Sequence, residues 1–221
     1  MVPLFDASRR PRDFPIATVA IIGLNLFAFV LELAGGDDFV LRWSLIPNDI
    51  TTGRGWVTIL TSMFLHGSWS HIIGNMIFLW AFGPEIEDAM GPTRYVVFYL
   101  LGGAAAMLAQ VAGDPHSTVP SLGASGAIAA VMGAFLVTYP RDQIRTILFL
   151  GIFFRLTFIP AALLIGLWFL IQLVSLGTIN GVETQTGGVA YLAHVGGCLF
   201  GALTARFFDT RGRITERDRD L

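Results

Sequence analysis

Long apolar runs, separated by polar stretches rich in arginine, glycine and proline, dominate the pattern of hydrophobic and polar positions along the chain. An α-helix rises about 1.5 Å per residue, so about 20 apolar residues cross the roughly 30 Å hydrocarbon core of a bilayer. On this rule the pattern predicts an all-α membrane protein with six transmembrane helices. The predicted spans are Ile16 to Leu33, Ser70 to Gly83, Tyr95 to Ala112, Leu122 to Thr138, Ile159 to Leu176 and Val189 to Phe208.

The stretch from Ile144 to Leu176 is too long to be one span. A single helix over it would be about 50 Å long, and Arg155 and Pro160 divide it. The part before Arg155 is too short to cross a bilayer, so we expect an interfacial or re-entrant segment there. Counting that part as a span would give seven spans and would move the C-terminal tail to the opposite side of the membrane.

The composition agrees with a membrane protein and excludes several other classes. Hydrophobic residues make up 54% of the chain and charged residues 14%, with a mean hydropathy of +0.66, whereas a soluble domain has about 25% charged residues. A net charge of -2 points to no nucleic-acid partner, and the single cysteine, Cys198, excludes an internal disulfide. The first apolar run is too long for the core of a signal peptide, so we expect it to be retained as a span.

The distribution of arginine predicts the orientation. The chain has no lysine, so all 14 basic residues are arginines. With six spans both termini share one side, which carries twelve of the 14 arginines and leaves only Arg42 and Arg54 on the other. Because cytoplasmic loops carry the arginine excess, we expect both termini to be cytoplasmic, in the cell (inner) membrane. The outer side then has one long first loop, about 34–69, and two short loops, 113–121 and 177–188.

The chain shows no internal repeat and no low-complexity region. The sequence therefore predicts a single domain over 1–221, with a transmembrane core of about 14–208 and short cytoplasmic tails at both ends.

Four polar side chains inside the predicted spans are candidate functional residues, because a polar group in a bilayer is costly and needs a reason. His71 and Asn75, four residues apart on one helix face, lie near the start of the second span. Ser125 lies near the start of the fourth span and His194 near the start of the sixth. Singly, each has an ordinary explanation as packing or as a hydrogen bond between helices. These three spans run in the same direction, so the residues share one depth in the outer half of the membrane, which favours a common site.

The serine and one histidine have the chemistry of a hydrolase. A serine hydroxyl is a weak nucleophile until an adjacent base takes its proton, and His194 would be such a base for Ser125. Gly197 and Gly201 form a small-xxx-small pattern, which lets two helices approach closely. We expect this close approach to bring the serine and the histidine within hydrogen-bond distance.

Other hydrolytic chemistries are disfavoured by residues that the spans lack. A helical metalloprotease site needs H-E-x-x-H, but the stretch from His71 to Asn75 has neither the glutamate nor the second histidine, so no metal is expected. A two-aspartate protease is disfavoured because no predicted span contains an aspartate. Cys198 lies one turn below His194, but apolar surroundings make a thiol unreactive.

Three motifs, in this order along the chain, make the sequence resemble the rhomboid family of intramembrane serine proteases. They are His71-x-x-x-Asn75, Gly123-x-Ser125-Gly126 and Ala193-His194-x-Gly196-Gly197, and the resemblance extends from about Trp56 to Gly201. It implies a six-helix rhomboid-like bundle with a long first outer loop. It also implies that Ser125 is the nucleophile and His194 the general base. His71 and Asn75, with the backbone N–H of the serine, would form the oxyanion site, and neither a metal nor a cofactor is implied.

The resemblance further implies structural roles for several residues. Glu87 matches a glutamate that braces the inner end of the structure, and His66 matches a structural loop histidine. We expect structural roles also for four glycines near the site, namely Gly123, Gly126, Gly197 and Gly201.

Two positions depart from the family pattern. Trp56 is followed by Val57, where the family often has an arginine. Many members carry an aromatic residue four positions after the serine, packed on the catalytic histidine, and that position is Ala129 here. We therefore expect that another side chain orients His194, or that the histidine is held less firmly.

The expected function is hydrolysis of peptide bonds in or near the transmembrane segments of membrane proteins, by a Ser-His dyad. The expected partners are such substrates and the lipid bilayer. Water must reach the site through a recess open to the outer side, and the outer loop 177–188 is a candidate lid. Two alternatives remain: a catalytically silent rhomboid-like protein that binds and routes membrane clients, and a small-solute transporter. A transporter would more often carry charged residues near the bilayer midplane.

Overall fold

Six helices of 14 or more residues form the body of the computed structural model, which describes residues 1–151, 153–179 and 190–210. The helices in chain order are α1 (Ile16–Trp43), α2 (Pro47–Thr51), α3 (Thr58–Thr61), α4 (Trp69–Met90), α5 (Pro92–Gly113), α6 (Ser125–Thr138), α7 (Ala161–Ile179) and α8 (Tyr191–Phe208). Each of the six long helices overlaps one predicted span.

Two of the described helices, α1 and α5, are long and apolar enough to cross a membrane. Helix α6 and the part of α7 from Ala161 to Leu176 are shorter apolar helices. Helix α1 is interrupted at Gly36, where the backbone leaves the helical region, so its regular part ends close to the predicted Leu33. The six-span count stays a prediction, and the candidate lid 177–188 lies largely outside the described residues.

The connection between α1 and α4 holds the segment that leads into α6. The backbones of Leu45 and Ser121 exchange two hydrogen bonds, of 3.0 and 2.7 Å. Two residues further on, the N–H of Gly123 donates to the carbonyl oxygen of Ser62 at 2.9 Å. The segment that leads into α6 is therefore held by backbone hydrogen bonds to Leu45 and to Ser62. These bonds do not depend on side-chain rotamers.

The carboxylate of Glu87, near the end of α4, binds the first turn of α1. One oxygen accepts from the N–H of Ala17 at 2.9 Å, and the other accepts from the N–H and the hydroxyl of Thr18, each at 2.8 Å. The first N–H groups of a helix have no partner within the helix, and the positive end of its dipole favours a carboxylate. The N-cap position itself is Pro15, which offers no side-chain cap, so a residue from another helix replaces it. This contact is consistent with the bracing role expected of Glu87.

Glycines let α6 and α8 pack with their backbones in contact. A Cβ atom on Gly197 would overlap the carbonyl oxygen of Gly126, and one on Gly201 would overlap that of Ala130. From the opposite helix, a Cβ on Gly133 would overlap the carbonyl oxygen of Cys198. The three contacts lie between residues 126–133 of α6 and 197–201 of α8, so the small-xxx-small pattern of α8 is matched by small residues on α6.

A three-stranded antiparallel sheet accompanies the helices. The described chain is mainly helical, as predicted, but the sheet shows that it is not all-α. The strands are β1 (Val2–Asp6), β2 (Gln143–Leu150) and β3 (Phe153–Pro160), in the order β1-β2-β3. The predicted interfacial or re-entrant segment is thus a β-hairpin. Ile144 and Thr146 are fully buried between partly exposed neighbours, which is the period-two pattern of a strand.

The β2–β3 hairpin starts and ends at the same end of the helix bundle. Gln143 at its start pairs with Pro160 at its end, so α7 begins at the end of the bundle where α6 finishes. Arg9, which follows β1, forms an ion pair with Asp142 and lies with its guanidinium 3.9 Å from the centre of the Tyr139 ring. These contacts fasten the N-terminal segment to the start of the hairpin.

Replacing Glu87 by glutamine should lower the thermal stability of the protein. The side chain keeps its shape, but an NH₂ group then faces N–H donors, and a buried donor without a partner costs about 1–3 kcal/mol. Thermal melts in detergent measure the effect, with Asp38→Asn as the matched control at an exposed carboxylate. Equal melting temperatures for Glu87→Gln and the control would show that this carboxylate does not stabilise α1.

Replacing Gly201 by alanine should destabilise the fold much more than replacing Gly166. The new Cβ at position 201 has no space against the Ala130 carbonyl, whereas nothing lies within 4 Å of a Cβ at Gly166. Overpacking typically costs about 1–3 kcal/mol, while alanine is about 1 kcal/mol better than glycine in an open helical position. Melting temperatures of the two purified variants check this, and a Gly201→Ala protein as stable as wild type would contradict the close α6–α8 packing.

Candidate active site

Ser125 and His194 are hydrogen-bonded to each other across the α6–α8 contact. The distance from Ser125 Oγ to His194 Nε2 is 2.8 Å. Ser125 is the first residue of α6, and His194 lies one turn into α8, where its side chain is 8% exposed. The structure therefore brings together the two residues, 69 positions apart in sequence, that the sequence analysis predicted as a dyad.

Small residues on three helices make this approach possible. A Cβ atom on Gly126 would lie 2.6 Å from Ala106 Cβ of α5, and one on Gly196 would lie 2.5 Å from Ala109 Cβ of the same helix. Ala193 and Ala106 are themselves almost fully buried. The backbones of α5, α6 and α8 thus meet beside the serine with only glycine and alanine residues between them.

The other ring nitrogen of His194 is bound by a residue that the sequence analysis did not single out. Nδ1 lies 2.8 Å from Oε1 of Gln172, which is on α7 and is 7% exposed. An amide oxygen only accepts hydrogen bonds, so Nδ1 carries the proton and donates it. Nε2 is then the free lone pair that accepts from the Ser125 hydroxyl.

Trp168, one turn before Gln172 on α7, packs against the His194 ring. The ring centres are 5.5 Å apart, with an angle of 41° between the planes. The carbonyl oxygen of Trp168 also accepts from the Gln172 amide at 3.3 Å. Two residues of α7, Trp168 and Gln172, thus contact the His194 ring, where the sequence analysis expected a side chain that it did not name. The sequence did contain a signal for Gln172, because it is a polar residue inside a predicted span and such residues are costly in a bilayer.

Ala129 is buried and faces α8. A Cβ atom on Gly197 would lie 3.3 Å from Ala129 Cβ. In this chain the ring that contacts His194 comes from α7 instead.

His71 and Asn75 line the same cavity as the dyad. The cavity has a volume of about 610 Å³. Its lining comprises Gly67, Ser68, Ser70, His71, Gly74, Asn75, Phe78, Pro120, Ser121, Leu122, Ser125, Ile128, Met132, Trp168, Ala190 and His194. The Asn75 amide nitrogen is buried and has no hydrogen-bond partner in the described parts of the chain. It is therefore a donor available to a group bound in the cavity.

Gly123 lets the segment before the serine pass directly against His71. Its φ of +127° is a left-handed value that favours glycine. A Cβ here would lie 2.8 Å from His71 Nε2 and 3.5 Å from Ser125 Oγ. The structural role expected of this glycine thus has a geometric basis, since a side chain would fill the space between the histidine and the serine.

His66 supports His71 from outside the cavity. Its backbone N–H donates to both carboxylate oxygens of Glu32, at 3.0 and 2.9 Å, and its ring packs edge-on against the His71 ring at 5.1 Å. Burial, with a smaller contribution from His71, lowers the pKa of His66 to about 4, so its ring is neutral at physiological pH. These contacts suit the structural role expected of His66.

Two residues considered in the sequence analysis lie away from the cavity. Glu87 is near the opposite end of α4 from His71, at the first turn of α1. Cys198 is a buried free thiol one turn beyond His194 and does not line the cavity. Within residues 1–151, 153–179 and 190–210, no group of three or more His, Cys, Asp or Glu side chains is placed to hold a metal ion.

Comparison with known proteins gives matches over most of the chain. The family model for the rhomboid domain matches residues 53–210. The mitochondrial rhomboid protein 1 of Saccharomyces cerevisiae is 27% identical over 189 residues, covering 83% of this chain and 51% of that protein. The rhomboid protease GluP of Bacillus subtilis is 32% identical over 126 residues, covering 55% of this chain and 24% of the relative.

A human relative has a similar level of identity. The mitochondrial presenilin-associated rhomboid-like protein of Homo sapiens is 32% identical over 145 residues, covering 65% of this chain and 35% of that protein. The chain thus spans about half or less of the length of these curated relatives. The matched region contains the serine, both histidines and the asparagine of the cavity, and the chain belongs to the rhomboid family.

Proposed function

We propose that this protein is an intramembrane serine protease that hydrolyses peptide bonds in or near transmembrane segments of membrane proteins. The observation that carries the proposal is the 2.8 Å hydrogen bond between Ser125 Oγ and His194 Nε2, inside a cavity that also presents His71 and Asn75. One relative, GluP, is itself named a rhomboid protease. No metal or cofactor is part of the proposed reaction.

The first half of the reaction forms an acyl-enzyme. Ser125 Oγ attacks the scissile carbonyl carbon, while its proton passes to Nε2 of His194. When the tetrahedral intermediate collapses, the C–N bond breaks and His194 gives this proton to the leaving amine. In the second half, water attacks the ester carbonyl, gives its proton to His194, and Ser125 recovers it as the acid product leaves.

The carbonyl oxygen gains negative charge in both halves of the reaction, and we assign its stabilisation to Asn75, His71 and the backbone N–H of Ser125. The Asn75 amide nitrogen is a buried donor without a partner in the described chain. The backbone N–H of Ser125 belongs to the first turn of α6, where it has no intrahelical acceptor. Donors fixed in advance stabilise the oxyanion without having to reorganise during the reaction.

We further propose that the six long helices cross the membrane, with both termini on the arginine-rich side. In a bacterial cell this is the cytoplasmic side of the inner membrane. The pairing of Gln143 with Pro160 supports the even number of crossings, because the hairpin between α6 and α7 starts and ends at one level. With this orientation the cavity lies in the outer half of the membrane and is reached by water from outside.

Replacing Ser125 by alanine should abolish cleavage while leaving the fold intact. One hydroxyl at the start of α6 contributes little to packing among its glycine and alanine neighbours, yet it supplies the attacking atom. Co-expression with a panel of single-span membrane proteins, followed by cleavage assays of purified wild type and variant, measures the effect. Cleavage of a substrate by the Ser125→Ala protein at the wild-type rate would sink the mechanism, and a wild type that binds the panel without cleaving would favour the silent, client-routing alternative.

Single losses of Asn75 or His71 should slow cleavage measurably, and the double variant should be much slower. Removing one oxyanion donor costs roughly 10²–10³ in kcat in soluble serine proteases. Here three donors share the charge, so each of Asn75→Ala and His71→Ala should cost less than that. The test measures the cleavage rates of the purified variants in detergent on one substrate, with thermal melts as the control for folding. Wild-type rates for both single variants would show that these side chains only pack.

A further inference from the structure

We infer that Gln172 of α7 is a positioning residue for catalysis, which fixes the tautomer and orientation of His194. The inference rests on the proposed protease function and adds a third member to the Ser-His dyad. In a soluble triad a buried aspartate binds the corresponding nitrogen of the histidine and holds the ring in the productive tautomer. Here a neutral amide oxygen lies 2.8 Å from Nδ1 of His194.

The geometry leaves the Gln172 amide one orientation. Its NH₂ group donates to the Trp168 carbonyl oxygen at 3.3 Å, so its oxygen is the atom that faces His194. The side chain is 7% exposed and cannot turn into open space. Because the oxygen can only accept, Nδ1 must carry the proton in neutral His194, and Nε2 must present its lone pair to Ser125.

A neutral acceptor suits the environment of α7. The neighbouring residues from Ala161 to Leu176 are almost all apolar. An ionised carboxylate there would lose its hydration at a large cost in free energy. An amide oxygen keeps the hydrogen bond to Nδ1 and avoids most of that cost, although it stabilises the positively charged imidazolium less than a carboxylate would.

The same helix supplies the ring that contacts His194. Trp168 and Gln172 are four residues apart and therefore share a face of α7. The tryptophan ring packs at a tilt against the imidazole, while the glutamine oxygen lies at hydrogen-bond distance from its Nδ1. Together they fix the orientation of the imidazole ring. Without them, the orientation would depend on the rotamer preference of His194 alone.

The alternative to a positioning role is that Gln172 only helps α7 to pack on α8. A packing role predicts that any side chain of the right length preserves the rate, whereas a positioning role requires an acceptor oxygen at the end of that side chain. Methionine and glutamate have nearly the same length as glutamine, and only glutamate has an acceptor oxygen. It keeps this oxygen in the protonated, uncharged form that apolar surroundings favour. Substrate binding at a distance from His194 should be unaffected in either variant, so the effect should fall on kcat and not on KM.

The test compares Gln172→Met with Gln172→Glu in the purified full-length protein, using one cleaved substrate. Leu170→Met, at an exposed position on another face of α7, is the matched control. We expect Gln172→Met to lower kcat at least about 10-fold, within the roughly 10²–10⁴-fold that a general base contributes in total. KM should stay the same, Gln172→Glu should restore most of kcat, and Leu170→Met should behave as wild type.

A shortened amide provides a second test if the methionine variant does not fold. Gln172→Asn keeps the polarity but withdraws the oxygen by one carbon–carbon bond, about 1.5 Å, so it should also lose kcat. Equal kcat values for wild type, Gln172→Met and Gln172→Asn would overturn the positioning role, as would equal losses in the methionine and glutamate variants. A different result would show that the protease proposal itself is wrong, namely that Ser125→Ala cleaves as fast as wild type.

Discussion

The contact between the backbones of α6 and α8 is the constraint on which the rest of the site depends. Gly197 and Gly201 lie against carbonyl oxygens of α6, and Gly133 of α6 lies against a carbonyl oxygen of α8. Helices with ordinary side chains between them have axes about 8–10 Å apart, whereas these glycine positions leave no space for even a Cβ atom between α6 and α8. The absence of side chains along this line therefore allows the 2.8 Å bond between Ser125 and His194. In an apolar bundle such close approach also replaces the hydrophobic driving force, because lipid is as apolar as the helix surface.

Several buried polar groups of the bundle bind a partner from another part of the fold. Glu87 binds the start of α1, and Glu32 of α1 binds the backbone N–H of His66, which leads into α4. Gln172 of α7 binds His194 of α8. An unpaired polar group in an apolar interior costs several kcal/mol, so these pairs fix which helix ends meet. The Asn75 amide nitrogen in the cavity has no such partner in the described residues and is left free for a ligand.

Much of the site was predictable from the sequence, since the polar residues of the spans stand out against apolar neighbours. His71, Asn75, Ser125 and His194 were identified in this way, and the cavity brings all four together. Gln172 is a polar residue of the same kind, but a lone glutamine in a span carries no nucleophile or base, and its partner lies 22 residues away. Which aromatic residue meets His194 was not predictable either, because Trp168 reaches it only through the packing of α7 on α8.

The fold was predictable where apolar runs are long and was not where they are short. Each helix of 14 or more residues overlaps one predicted span, because a long apolar run favours a helix. The stretch from Gln143 to Pro160 is different, since an apolar run of about eight residues is compatible with either a strand or a helix segment. Its choice depends on pairing with β1, almost 140 positions earlier in sequence, and on the turn at Gly151, whose φ is +66°. Such long-range pairing leaves no local pattern to recognise.

The most direct test of the central claim is whether Ser125 is chemically activated by His194. A fluorophosphonate probe reacts with a serine whose proton is taken by a neighbouring base, and peptide mapping by mass spectrometry locates the adduct. We expect the adduct on Ser125 of the folded wild-type protein and its loss in folded His194→Ala. A wild-type protein whose Ser125 stays unmodified, or an adduct that forms equally fast in His194→Ala, would contradict the account.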